Sequence, residues 1–293
     1  MTKEKGNKVE ELKTNVTNML IENINECLAS DWKKSWINVG KPPYDPVSDH
    51  YYQGFNMFSL SLLTAFNGYS CAEYATFNQW KKIGFVPSKG SKGLSALQPL
   101  MKKGTDKESG EDITFIGGFR AYAVFNADQV VDIDNGDPYK PENLDVQLNE
   151  NDRIKKAEKF FKNCNVKMVE NGDVACYIPR HDQIKMPTLD QFDDSKSYYA
   201  TLFHELTHAS GHKDRLNRDL NNGFNAKGYA YEELIAEIGS AFIMSHLGLD
   251  HKPRKDHAPY LKGWLKGLEN DINFIFKASA QSGKALDFYN KMQ

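Results

Sequence analysis

Apolar residues recur at helical spacing from the start of the chain. Val9, Leu12, Val16, Met19, Leu20, Ile24 and Leu28 fall on one face of an amphipathic helix. Trp32, Trp36 and the stretch Gly40-Lys41-Pro42-Pro43-Tyr44-Asp45-Pro46 then interrupt the period. A second apolar helix is predicted after Tyr51-Tyr52-Gln53-Gly54-Phe55-Asn56, running through Leu60–Leu63. Tyr74–Trp80 reads as a short strand leading into a helix, and Phe115–Asn126 alternates as a strand. The polar, Pro- and Gly-containing run Asp132–Pro141 marks a linker, which divides the chain into residues 1–134 and 141–293, both of ordinary domain size.

Beyond the linker, a helix is expected around Ala157–Phe161. Val166–Glu170 and Val174–Pro179 are expected to pair around Asn171-Gly172-Asp173. The segment from Tyr177 to Met186 is a candidate edge strand for strand addition by an extended peptide. Asp193, Asp194 and Ser195 then supply helix-start signals, and Tyr198, Tyr199, Leu202, Phe203 and Leu206 an apolar face. Gly211 supplies the stop. A further helix covers Tyr231–Phe242, with a stripe of Leu234, Ile235, Ile238, Ala241 and Phe242. Ala236, Gly239, Ser240 and Ala241 are small enough to let another helix approach closely. Helices and short strands occur in both halves, so the fold class expected is α+β in two domains.

The helix after Asp194 carries the chemistry. His204-Glu205-Leu206-Thr207-His208 places two imidazoles one turn apart on a single face, where both can reach one cation. Glu205 sits beside that cation and is placed to move a proton to or from water there. A hydrolytic zinc site takes a third protein ligand. His212 directly follows Gly211, and the position that would carry a third histidine in the longer His-x-x-Gly-x-x-His pattern is Asp214, so His212 is read as a residue beside the site. Glu233 and Glu237, one turn apart on the next helix, are better placed, although the register leaves Glu232 and Glu237 as alternative ligands. The pattern resembles the gluzincin branch of zinc peptidases. That resemblance implies Glu233 as third ligand and Glu237 as the carboxylate that orients a ligand histidine, with Tyr231 and His212 as neighbours. Zinc is the expected ion, and two histidines plus a carboxylate also suit manganese, cobalt or iron.

Composition narrows the classes. The 293 residues carry a formal net charge of -2, and no apolar run is long enough to span a membrane. The N-terminus lacks the apolar core of a signal peptide. Four scattered cysteines, Cys27, Cys71, Cys164 and Cys176, point to reduced thiols in the cytoplasm. Charge is uneven, however. Between Lys81 and Lys103 lie Lys81, Lys82, Lys89, Lys92, Lys102 and Lys103 with no acidic residue. Lysines beside Trp36, Tyr52, Phe55, Trp80 and Phe119 suit single-stranded nucleic acid, the cations following phosphates and the rings stacking on bases. His181, His246, His251 and His257 have no ligand spacing and read as structural or surface residues.

Several blocks in one order resemble the ArdC-type antirestriction proteins of plasmids and other mobile elements. In the first half these are Trp36, Tyr52-Gln53-Gly54-Phe55-Asn56, Phe77-Asn78-Gln79-Trp80, Lys89-Gly90-Ser91-Lys92-Gly93 and Arg120–Asn126. In the second they are Met186-Pro187, Tyr198–His208, Gly211-His212, Arg215-Leu216 and Tyr231–Glu237. Gln53 departs from the Arg that the family often has. The resemblance implies an N-terminal single-stranded-DNA-binding domain, a C-terminal zincin-like metallopeptidase domain and protection of incoming DNA from host restriction. Its candidate DNA contacts are Lys81, Lys82, Lys89, Lys92, Trp36, Tyr52 and Arg120, and its expected protein substrate is DNA-associated. Two rival readings are a DNA-masking protein whose metal site is structural and a free-standing zinc peptidase.

Overall fold

The computed structural model describes residues 3–29, 42–105, 111–141, 150–220, 226–249 and 258–293. Trp36, His251 and His257 lie outside the described residues. The expected first helix is α1 (Lys3–Ala29), whose Val9, Leu12, Val16, Leu20 and Ile24 are buried while Leu28 is exposed. A small ladder, β1 (Tyr44–Asp45) with β2 (His50–Tyr51), leads into α2 (Gly54–Asn67), which ends at Gly68 in a left-handed conformation. Next come β3 (Tyr74–Ala75), α3 (Phe77–Lys82) and β4 (Phe85–Pro87). Thr76 and Gln79 form a reciprocal capping box at the start of α3.

The longest strands are β5 (Leu94–Thr105) and β6 (Asp112–Asn126), paired antiparallel with a register shift between Pro99 and Met101. β6 also pairs with β3, giving the order β3-β6-β5, while β4 pairs with β7 (Val130–Asp132). Only β6 of the long pair is foreseen by alternation. The outer half of β5 exposes apolar Leu100 and Met101 beside Lys102 and Lys103, so no buried face repeats every second residue. The polar stretch after β7 is not a free tether throughout. Tyr139 folds back with its ring 4.9 Å from Trp80 and 5.0 Å from Phe85.

The second half holds α4 (Glu150–Asn163), β8 (Lys167–Glu170), β9 (Cys176–Ile178), β10 (Gln183–Met186), α5 (Ser195–Ser210), α6 (Ala226–His246), α7 (Ala258–Asn270) and α8 (Phe274–Asn290). The hairpin expected around Asn171-Gly172-Asp173 does not form. β10 lies between the two, parallel to β8 and antiparallel to β9. Ile184 and Met186 of β10 are fully buried, which suits a central strand. Of the segment from Tyr177 to Met186, only β9 is therefore an edge.

The largest core crosses from one half to the other. It joins α1, Phe55, Phe58 and Leu62 of α2 and Leu97 of β5 to the apolar faces of α5, α6, α7 and α8. Phe276 of α8 lies at this seam. Phe55 and Phe119 each meet its ring edge-on at 5.1 Å, and the Lys13 ammonium sits 4.8 Å from its centroid. Beside it, α8 and α2 approach through glycines: a Cβ added at Gly283 would stand 2.9 Å from the Gly54 Cα. Mixed helices and strands in two linked halves bear out the α+β reading. No helix among the described residues is long and apolar enough to cross a membrane.

Candidate metal centre

α5 begins where Asp194 accepts hydrogen bonds from the Ser197 backbone amide and hydroxyl, both at 2.7 Å. It ends at Gly211, and nearly all of it is buried. α6 runs against it, and its small residues make this possible. The Ser240 hydroxyl donates to the Ala200 carbonyl at 2.7 Å. A Cβ at Gly239 would overlap the Thr207 side chain. This close crossing carries Glu233 to the two histidines.

His204 Nε2 and His208 Nε2 are 3.2 Å apart. Glu233 bridges them, Oε2 lying 3.4 Å from His204 Nε2 and Oε1 3.4 Å from His208 Nε2. Three donors bonded to one ion at about 2.05 Å in tetrahedral geometry stand ~3.3 Å from one another. The observed spacing thus fits a divalent metal, and the set of two imidazoles and a carboxylate fits its chemistry. Among the described residues, His204, His208 and Glu233 form the one group of potential ligands so gathered. Burial opposes charge on Glu233, but hydrogen bonds to His204 and His208 hold its carboxyl well below the usual carboxylate range.

Each histidine turns Nδ1 away from that point toward a different carboxylate. His204 Nδ1 faces Glu237 Oε2 at 3.5 Å. His208 Nδ1 faces Glu232 Oε1 at 3.3 Å. Glu232, an alternative ligand by sequence, is thus on the far side of His208 from the gathered donors. His212 also stands apart, its Nδ1 3.5 Å from Asp214 Oδ2, and Tyr231 packs its ring 5.2 Å from that of Phe274.

Glu205 is 4 % exposed, and its Oε2 accepts a 2.8 Å hydrogen bond from the Tyr177 backbone amide on β9. β9 is fastened in turn. The Tyr177 hydroxyl donates to Asp182 at 2.8 Å, Arg215 forks onto both Asp182 oxygens, and Arg215 Nε donates to the Ala209 carbonyl at 2.7 Å. The Arg215 guanidinium holds the Asp182 carboxyl below its ordinary range. Asp182, Arg215 and Arg218 are residues to which no spacing rule points, because they sit in loops: Asp182 and Arg215 meet only in the folded chain, and Arg218 reaches Glu232 and the end of α5.

The nucleic-acid expectation meets a different surface from the one drawn by sequence. Tyr52 is 4 % exposed and its hydroxyl donates to the Tyr74 carbonyl, so its ring is not open to a base. Trp80 and Phe55 are buried as well. Lys81, Lys82, Lys89 and Lys92 are exposed, as is Arg120, which donates across the β5–β6 pair to Gln98. The Ser88–Gly93 loop is an ordered turn, with the Ser88 amide donating to the Gln129 carbonyl at 2.8 Å and Gln129 Nε2 to the Lys92 carbonyl at 3.0 Å. Cys71, Cys164 and Cys176 are free thiols.

Comparison with known proteins fits this arrangement. Residues 10–125 match the N-terminal domain of anti-restriction factor ArdC, and residues 155–281 match a zincin-like metallopeptidase family. The crystal structure of the antirestriction ArdC protein from plasmid R388, metal-free, is 31 % identical with a TM-score of 0.73, covering 96 % of this chain and 97 % of that one. Its Mn(II)-bound structure gives 33 % identity and a TM-score of 0.71 over the same shares. The chain belongs to the ArdC antirestriction family. The y4eC protein of Sinorhizobium fredii is 33 % identical over 95 % of this chain and 91 % of its own length. The Escherichia coli DNA primase TraC is 32 % identical over 93 % of this chain, which spans only 19 % of that longer protein. The ArdC match therefore covers both halves, and the gathered histidines and Glu233 lie within its zincin-like part.

Proposed function

We propose that this ArdC-family protein protects incoming DNA from restriction, with residues 1–134 binding single-stranded DNA and residues 141–293 acting as a divalent-metal-dependent peptidase. The observation that carries the peptidase reading is the convergence of His204, His208 and Glu233 with Glu205 on the same helix as the two histidines. A bound divalent ion supplies Lewis-acid activation of water and of a peptide carbonyl. Zinc is the ion we favour, and the R388 relative, solved with Mn(II), supports manganese as a second occupant. Glu205 serves as the proton carrier, and the β9 edge offers backbone groups to an extended peptide. The exposed lysines at positions 81, 82, 89 and 92 supply phosphate contacts, and the similarity to a DNA primase supports an association with DNA. Tethering through DNA would concentrate the peptidase near DNA-associated proteins.

The deciding experiment is Glu205→Gln in a conjugation assay against a restricting host. The variant should fold, hold metal and bind a labelled oligonucleotide like the parent, yet lose protection. Full protection by the variant would transfer support to the rival reading, a DNA-masking protein with a structural metal. One observation favours that rival: the Glu205 carboxylate is buried and already engaged by the Tyr177 amide. Absence of salt-dependent oligonucleotide binding would remove the DNA-binding assignment altogether.

A further inference from the structure

His208 is held by a network that reaches beyond its own helix. Neighbouring residues on a helix point about 100° apart, so Glu232 and Glu233 meet His208 on different sides. Glu233 faces the Nε2 atoms, while Glu232 approaches His208 from the other side, at Nδ1. The Glu232 side chain is only 13 % exposed, and a carboxylate so placed needs a counter-charge. Arg218 supplies it as a fork. Its Nη2 donates to Oε1 at 2.7 Å and its Nε to Oε2 at 3.1 Å.

The same guanidinium is anchored on the last turn of α5. Arg218 Nη1 donates to the Ser210 hydroxyl and Nη2 to the Thr207 carbonyl, both at 2.7 Å. A Cβ at Gly211 would come within 3.1 Å of Arg218 Nη2, so the glycine that ends the helix also leaves room for the arginine. Arg218 therefore grips both the backbone turn that carries His208 and the carboxylate that touches its ring.

We propose that Arg218 and Glu232 are positioning residues for metal binding, fixing the His208 ring with Nδ1 toward Glu232 and Nε2 toward the point shared with His204 and Glu233. The inference rests on the divalent-metal reading of that point. A metal-ligating imidazole is neutral, and a carboxylate at Nδ1 selects the tautomer whose Nε2 lone pair is available. His204 has Glu237 for this purpose, and Glu232 is the equivalent for His208. Glu232 is itself anchored by an arginine from the loop after α5.

Mn2+ titration by calorimetry tests this on purified protein stripped with EDTA. Glu232→Ala should bind Mn2+ roughly 10–100-fold more weakly, the range seen for loss of such outer partners. Glu232→Gln, whose amide oxygen still accepts from Nδ1, should fall between Ala and the parent. Arg218→Lys keeps the charge but not the fork and should also weaken binding, and combining it with Glu232→Ala should add little. The absorption bands of the Co2+-loaded protein should shift in Glu232→Ala, which a mere brace between helices would not cause. Melting in EDTA, compared with melting in Mn2+, separates metal affinity from stability if a variant folds poorly. Parental Mn2+ affinity in Glu232→Ala and Arg218→Lys overturns the assignment while leaving the metal site standing. Complete metal loss in Glu232→Gln, equal to that in Glu233→Ala, overturns it by making Glu232 a ligand. A parent protein that takes up neither Mn2+ nor Zn2+ sinks the metal reading and this assignment together.

Discussion

The Tyr177 backbone amide donates to the Glu205 carboxylate at 2.8 Å, tying the edge strand β9 to the helix that carries both histidines. Tyr177 sits opposite Ile184 in the β9–β10 register, and its amide points instead to Glu205 on the open side of the sheet. An extended peptide adding to that edge would seek the same donor. On the peptidase reading proposed above, the peptide and Glu205 would compete for one backbone group.

That contact predicts unequal effects of two changes at position 205. Glu205→Gln retains an acceptor for the amide and should alter stability by no more than about 0.5–1 kcal/mol. Glu205→Ala leaves a part-buried amide without its acceptor and should lose about 1–3 kcal/mol. Urea unfolding of the metal-free variants measures both. Equal stability of the two would mean that the hydrogen bond contributes nothing.

Gly239→Ala should damage the candidate metal centre without altering His204, His208 or Glu233. The added methyl overlaps Thr207, so α5 and α6 must separate or twist. Overpacking of this kind costs about 1–3 kcal/mol. It also moves Glu233 away from His204 and His208, so metal affinity should fall with stability. A variant that melts lower yet binds Mn2+ like the parent would show that the crossing has slack.

The metal-free protein should lose stability as the solution becomes alkaline. Burial alone would press the His208 imidazole down, but hydrogen bonds to Glu232 and Glu233 outweigh it and push its pKa up to about 10. A folded value above the ordinary ~6.5 means that this proton stabilises the fold fully below about pH 6.5. The contribution is lost as pH rises through about 10. A metal bound at His208 would displace the same proton, so metal affinity should climb over that window. Melting curves between pH 6 and 10, in EDTA and in Mn2+, should therefore diverge. A metal-free profile that rises toward pH 10 would contradict the assigned pairings.

Phe276→Ala tests the seam between the halves. The ring takes edge-on contacts from Phe55 and Phe119 and carries the Lys13 ammonium over its face. Its removal should cost about 2–4 kcal/mol, slightly less than for a fully buried phenylalanine. Unfolding followed by tryptophan fluorescence and by circular dichroism should remain one transition in the parent. Separation into two transitions in the variant would show that this ring couples the halves.

Part of the candidate metal centre is legible in the sequence because it depends on short-range geometry. His204 and His208 follow from a helical period, whereas the choice of Glu233 over Glu232 and Glu237 comes from the resemblance to gluzincins, because the second helix alone leaves the register open. What could not be read depends on tertiary placement. β10 enters between β8 and β9 although it follows both in sequence, so adjacent runs do not pair. Tyr52 looks like a stacking aromatic until the fold buries it and its hydroxyl donates to the Tyr74 carbonyl. Arg215 and Arg218 sit in a loop without period, and their meaning comes from Asp182 and Glu232, which are brought to them from other elements.

The glycine contact between α2 and α8, with Phe276 beside it, has a thermodynamic consequence. Because the main core spans both halves, neither can expose its side of that core without cost to the other. A ligand that binds only the folded form of one half then protects the whole chain, by an amount set by its concentration relative to its Kd. Occupancy at either end becomes resistance to unfolding and proteolysis at the other, with no change of shape passing between them.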